Sequence, residues 1–223
     1  DHRDLHSFPT RRSSDLISGW SWGPITTAGF LRGVETFLMD TMVEPELAQK
    51  VMKKSTKLVD GIIRIGSEGG DYVWLPDPTA SGTIINADTF NEFCANPLTD
   101  IIGGWKKDFG VPVIYHVCGD TIPVMKEMAK TGIDVLSLDH AVDIGEAREV
   151  IGEDFTLFGN VHPITTLWNG TAADVERESL ECIELAGLNG RFILSAGCEV
   201  TRDTTVENVR AMVKTGENYK YGA

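Results

Sequence analysis

VPVIYHVC (Val111 to Cys118), IDVLSLDH (Ile133 to His140), TLFGNVHP (Thr156 to Pro163) and FILSAGC (Phe192 to Cys198) share one layout: a short apolar run that ends in polar, reactive residues. The apolar runs predict strands over Val111 to Cys118, Val135 to Leu138, Thr156 to Val161 and Phe192 to Ser195. Between them lie stretches with helical spacing: Ile122 to Lys130 closed by Gly132, Ile144 to Ile151, Ala172 to Ala186 ending at Gly187, and Thr205 to Asn218. Strands that alternate with helices predict parallel pairing through crossover connections.

The same rhythm extends toward the N-terminus. Tyr72 to Leu75 predicts a strand and Ala87 to Phe109 a helix; Ile17 to Trp22 predicts a first strand, followed by helices around Phe30 to Thr41 and Pro45 to Glu68. Pro45 suits a first helical turn, and Gly69-Gly70 is a normal stop. Six strands, each followed by helix, predict an α/β fold of the (β/α)8 TIM-barrel type. A complete barrel takes about 250 residues, so residues 17–223 are expected to be an N-terminally truncated barrel with a sheet edge left open near the first strand. The rival is an open doubly wound sheet, which usually carries a glycine-rich phosphate turn; the sequence holds no GxGxxG or P-loop pattern.

Residues 1–16, DHRDLHSFPTRRSSDL, differ from the rest of the chain: they are polar, hold three Arg and lack a helix or strand period. The stretch resembles the translated read-through of a sequencing adapter, with an ordinary disordered terminal arm as the alternative. On either reading His2 and His6 drop out as ligands, and the former implies a natural chain that begins further upstream.

The 223 residues carry 33 Asp and Glu against 20 Lys and Arg, a formal charge of -13. No basic cluster interleaved with aromatics is present, and an acidic surface suits neither nucleic acid nor anionic lipid. No apolar run approaches a bilayer span and no signal pattern opens the chain, so a cytoplasmic location without membrane or nucleic-acid partners is expected. Four cysteines are too few for a disulfide scaffold, which turns attention to metal binding or catalysis.

The residues that look out of place all follow predicted strands: Asp77, His116 and Cys118, Asp139 and His140, Asn160 and His162, and Cys198. In a barrel those ends share one rim, where active sites are built. Residues i and i+2 of a strand face the same way, so the His116 imidazole and the Cys118 thiol point together. One imidazole and two thiolates form a zinc-type donor set with an open fourth position. The plain alternative is two core cysteines and a hydrogen-bonded histidine.

YHVCGDTIPVMKEMAKTGIDVLSLDH, FGNVHP and LSAGCEVTRDTTVENVRAMV, with the earlier WGPIT and LPDPTASG, resemble the uroporphyrinogen-decarboxylase-like superfamily, and the HxC with a distant Cys resembles its corrinoid-dependent branch of coenzyme M methyltransferases. The resemblance implies zinc held by His116, Cys118 and Cys198. It also implies a carboxylate, here Asp139, in the fourth position until substrate displaces it; Asp139 stands where some relatives carry glutamate. It implies a methyl group delivered by a corrinoid protein to a small thiol such as coenzyme M. The rivals are a metal-free uroporphyrinogen decarboxylase, whose chemistry needs no thiolate pair, and an inactive corrinoid-binding relative.

Among the remaining residues, Asp77 is expected either to orient substrate in the mouth or to cap a turn before Pro78, since Asp favours both roles. Asn160 and His162 are candidates for the pocket lining, with a turn at Asn-Val-His-Pro as the alternative. His140 is a supporting neighbour of Asp139 or a surface imidazole. Cys94 and Cys182 read as core. Trp20, Trp22 and Trp74 read as packing residues, some of them bordering the corrinoid mouth.

Overall fold

A computed structural model describes residues 16–187 and 190–220. The segment 1–16 therefore lies, apart from Leu16, outside the described residues.

Six strands form one sheet: β1 (Ser18–Trp20), β2 (Tyr72–Pro76), β3 (Val113–Val117), β4 (Val135–Leu138), β5 (Thr156–Val161) and β6 (Phe192–Ala196). Every pair is parallel and the spatial order is the chain order. A doubly wound sheet reverses its order at a switch point; this one advances in a single direction, as the strands of a β/α barrel do. The fold is thus α/β of TIM-barrel type, with six strands among the described residues. Among those residues β1 pairs only with β2 and β6 only with β5, so the sheet has two edges, one of them at the first strand as expected.

The helices are α1 (Pro24–Arg32), α2 (Val34–Val43), α3 (Pro45–Gly66), α4 (Ala87–Thr89), α5 (Asn96–Phe109), α6 (Met125–Ala129), α7 (Ile144–Ile151), α8 (Ala172–Ala186) and α9 (Val206–Asn218). The helix expected around Phe30 to Thr41 is two helices, α1 and α2, separated by Gly33. The earlier start follows from Pro24, which has no N–H to lose in a first turn. The stretch from Ala87 to Phe109 is helical throughout, with a π-turn segment, Phe90–Ala95, between α4 and α5. A second π-turn segment, Pro163–Trp168, follows β5. In α3 the buried residues Ala48, Met52, Ser55, Val59 and Ile63 recur every third or fourth position, forming one stripe against the core. Thr171 and Asp174 close a reciprocal capping box at the start of α8.

Alternation along the strands separates the two sheet faces. Val73, Leu75, Val113, Tyr115, Val117, Leu136 and Leu157 belong to the core formed with the helices. The other face carries Trp74, His116, Ser137, Phe158 and Ser195, which line an open cavity. The N-terminal strand ends are tied down by polar clamps. Arg148, only 5% exposed, donates to the carbonyls of Ala186, Gly152, Phe155 and Arg191. Asp134 accepts from the Val113 N–H and from Lys106.

Candidate metal centre

The C-terminal strand ends bring three soft donors together. His116 lies in β3, Cys118 just beyond it, and Cys198 two residues past β6. Cys118 Sγ is 3.5 Å from His116 Nε2 and 3.9 Å from Cys198 Sγ, and the three donor atoms all lie within 4.8 Å of one another. Tetrahedral ligation at roughly 2.3 Å for sulfur and 2.0–2.1 Å for nitrogen places two sulfurs about 3.8 Å apart and a nitrogen–sulfur pair about 3.5 Å apart. The residues fit a zinc-type ion in both distance and donor chemistry.

Glycine makes this approach possible on both sides. Gly119 has φ +76, and a Cβ there would meet Ser81 Oγ and Thr83 Oγ1 at 2.8 Å. A Cβ on Gly197 would meet the His140 backbone nitrogen at 2.4 Å, so only glycine lets the β6 loop carry Cys198 against the end of β4.

The two sulfurs form a coupled pair. Cys198 is held below the ordinary thiol range because it accepts hydrogen bonds from Cys118 and His116. Cys118 is pushed up by its hydrogen bond to Cys198, by burial, and by the charges of Cys198, Asp139 and Glu199. In the metal-free arrangement one thiolate is favoured and the second opposed; a divalent cation between them removes that opposition.

His116 is 8% exposed and fixed on several sides. Its Nδ1 is 2.9 Å from Ser137 Oγ, and its ring stacks on Trp74 at 6.0 Å between centroids and 14° between planes. Trp74 meets Phe158 edge-on at 5.6 Å. Trp20, Trp22, Trp74, Pro76, Pro78 and Phe158 give the cavity, about 420 Å³, apolar walls, while Glu199 is its carboxylate. All three tryptophans therefore border the mouth rather than serving only as packing, and Trp20 is 48% exposed.

Several expected site residues do other work. Asp77 is fully buried and does not line the cavity. Its Oδ1 accepts from the Thr26 N–H at 2.8 Å and its Oδ2 from the Tyr115 hydroxyl at 3.0 Å. Thr26 is in the first turn of α1, whose N-cap residue Gly23 has no side chain, so Asp77 caps that helix from the end of the adjacent strand β2. The capping alternative holds, for a helix earlier in the chain and not for the turn at Pro78. Burial pushes the Asp77 carboxyl up to about 6, against the hydrogen bonds from Thr26 and Tyr115.

Asn160 also sits beneath the rim: its amide donates to the carbonyls of Asp139 and Val142, and its Oδ1 accepts from Cys182. Its polar atoms hold the β4–α7 loop, a contact that neither the pocket-lining expectation nor the alternative of a turn at Asn-Val-His-Pro describes. Asp139 stands outside the three-donor group, because its Oδ1 bonds the Ala141 N–H and His140 Nδ1. His162 caps the turn after β5, its Nδ1 accepting from Ile164 and Thr165 N–H groups, and its ring lies 4.0 Å from that of His140. Cys94 and Cys182 are buried core residues, in line with their apolar sequence neighbours. Ser137 and Glu199 went unnoticed in the sequence. Serine inside VLSL reads as strand filler, and only the register of β3 and β4, which pairs His116 with Ser137, reveals its position.

Comparison with known proteins places this geometry in a family. Residues 14–219 match the family described as uroporphyrinogen decarboxylase (URO-D). The chain is 32% identical over 192 residues to the methylated-thiol–coenzyme M methyltransferase of Methanosarcina mazei, covering 86% of this chain and 50% of that protein. It is 34% identical over 153 residues to the methylcobamide:CoM methyltransferase MtbA of Methanosarcina acetivorans, covering 69% of this chain and 43% of that one. A uroporphyrinogen decarboxylase from Methylobacillus flagellatus matches at 27% over 208 residues, covering 89% and 57%. A solved methyltransferase structure from Methanosarcina mazei superposes with a TM-score of 0.79 at 26% identity, covering 92% of this chain and 59% of that chain. The chain spans about half the length of the curated relatives it matches. On these matches the chain belongs to the uroporphyrinogen decarboxylase (URO-D) family and is similar to its coenzyme M methyltransferase branch.

Proposed function

We propose that this chain provides the zinc-binding, thiol-activating site of a methyltransferase that moves a methyl group from a methyl-corrinoid protein to a small thiol such as coenzyme M. The observation that carries this reading is the convergence of His116, Cys118 and Cys198 at distances suited to one tetrahedral ion. The similarity to methyltransferases whose names contain methylcobamide and coenzyme M supports the donor and the acceptor.

Zinc held here would supply a Lewis acid able to keep a substrate thiol ionised at neutral pH, where a free thiol with a pKa near 8.5 is mostly protonated. The chain's own residues set the charge of the site. Two cysteine thiolates and a neutral imidazole would balance a divalent ion held by His116, Cys118 and Cys198, so the donor set would leave no net positive charge to quench a substrate thiolate. Trp74, Phe158, Pro76 and Pro78 make the wall beside the donors apolar. Asp139, whose charge acts on Cys118, remains the candidate fourth ligand in this reading. Asp77 and Asn160 act indirectly, by holding α1 and the β4–α7 loop in place.

A cytoplasmic, reducing setting belongs to the same reading. All four cysteines are free, and among the described residues no helix is long and apolar enough to cross a membrane.

The test is a cobalt-loaded sample titrated with coenzyme M, followed by methylcobalamin. Thiol ligation is expected to add a sulfur-to-cobalt charge-transfer band, and methylcobalamin absorbance is then expected to fall as methyl-coenzyme M forms. A chain that takes up neither cobalt nor zinc contradicts this reading and favours the metal-free decarboxylase chemistry of its other relatives.

A further inference from the structure

We propose that Ser137 is a positioning residue of the metal centre: in the loaded protein its hydroxyl accepts the hydrogen bond from the Nδ1–H of His116 and thereby keeps the Nε2 lone pair directed at the ion site shared with Cys118 and Cys198. The inference rests on the metal reading above and adds to it a residue outside the donor set.

A neutral imidazole carries its proton on one nitrogen or the other, and the hydrogen bond at one nitrogen sets what the other can bind. The two ring nitrogens of His116 face different partners, the sulfurs on one side and a hydroxyl on the other. Nε2 faces Cys118 Sγ at 3.5 Å, and Nδ1 faces Ser137 Oγ at 2.9 Å. Ligation at Nε2 requires the proton at Nδ1, and Ser137 provides the acceptor there.

Strand register makes this placement specific. His116 and Ser137 are register partners in adjacent parallel strands, so their side chains share the inner face. The rest of β4 is Val135, Leu136 and Leu138. A slip of one residue would bring a leucine beside the imidazole and leave Nδ1 without a partner. Ser137 is 2% exposed, so solvent does not readily replace its hydroxyl.

The chemistry of the partner matters as well. A carboxylate at this position would add a further negative charge beside two thiolates. A hydroxyl orients the imidazole while leaving it neutral, which preserves the charge balance of the donor set. Trp74, stacked 14° from the ring plane, restricts the remaining rotation about the imidazole.

The experiment compares zinc affinity in the whole chain, its Ser137→Ala variant and its Ser137→Thr variant, using a competing chelator, together with the visible spectrum of each cobalt-loaded protein. Loss of a group that orients a ligating histidine typically weakens metal binding by about 10–100-fold. Ser137→Ala is expected to show that loss and shifted cobalt bands, and Ser137→Thr, which keeps the hydroxyl, to recover most of both. Long-range proton–nitrogen correlation spectra of the zinc-loaded wild-type chain are expected to place the His116 proton on Nδ1, a readout that stands even where the alanine variant fails to fold. Wild-type affinity and spectrum in Ser137→Ala overturn this inference alone, whereas a proton on Nε2 in the loaded protein overturns ligation through that nitrogen as well. A wild-type chain that binds no zinc overturns the metal reading along with it.

Discussion

The two ends of the sheet are built from the same strand–helix repeat, yet they treat polar atoms in opposite ways. At the N-terminal strand ends, the Arg148 guanidinium is surrounded by backbone carbonyls and Asp134 by an N–H and an ammonium group. The polar groups of these clamps find their partners within the chain, which ties helix ends to strand starts. At the C-terminal ends, His116, Cys118 and Cys198 converge on one another. Clamps that close on the backbone hold the fold, whereas donors that converge on a point make a site. Asp77 shows that position alone does not decide: it sits at the C-terminal end of β2 but closes on Thr26 and Tyr115, as a clamp does.

The contrast can be broken most forcefully at the sulfurs. Structural zinc sites bind with apparent free energies of about 10–16 kcal/mol, so loss of one of three protein ligands, about 3–5 kcal/mol, is expected to weaken zinc by a few hundredfold or more. Cys118→Ala and Cys198→Ala should each do so while retaining the wild-type circular dichroism of the metal-free chain. Bound metal measured after dialysis checks this, and unchanged content in both variants contradicts the site.

Arg148→Met should do the reverse. It leaves the buried Ala186 carbonyl and the part-buried Gly152 and Phe155 carbonyls without the guanidinium, while the Arg191 carbonyl keeps the Leu157 N–H; at about 1–3 kcal/mol for a buried orphan, urea denaturation is expected to show a loss of about 2–3 kcal/mol. Zinc affinity of the folded fraction should not change.

Asp77 yields a pH signature. Its carboxyl is raised in the fold from 3.8 to about 6, so the protonated form is the one the fold prefers. That contribution is present below about pH 4 and is lost as pH rises toward 6, a change on the order of 2–3 kcal/mol. In Asp77→Asn, which keeps the shape and lacks the charge, stability should not show this decline. Parallel denaturation curves at pH 4 and pH 7 measure the difference.

The smallest effect is expected at Thr205, which caps α9 by accepting from the Asn208 N–H. Thr205→Ala should lower the unfolding free energy by about 1 kcal/mol and leave metal binding intact, separating helix capping from the metal site.

The strand order and the three donors were legible because each depends on local pattern. Apolar runs mark the strands, the two-residue spacing of His116 and Cys118 puts both on one face, and glycines mark the turns beside the cysteines. What escaped depends on lateral contacts. Asp77 caps a helix that begins far earlier in the chain, at Pro24, and its partner Tyr115 lies in the neighbouring strand, so nothing beside Pro78 announces the role. Asn160 reads as a pocket residue until its amide is seen to hold the β4–α7 loop. Ser137 is invisible until register sets it beside His116. The break at Gly33 and the π-turn segments reflect local chain geometry within stretches whose apolar content already reads as helix.

X-ray absorption at the zinc edge of the loaded chain reads the donor set itself. Two sulfur scatterers at about 2.3 Å and one imidazole nitrogen at about 2.0–2.1 Å are expected, with one sulfur lost in Cys198→Ala. A shell made only of nitrogen and oxygen, identical in the wild type and that variant, contradicts a metal centre built on His116, Cys118 and Cys198.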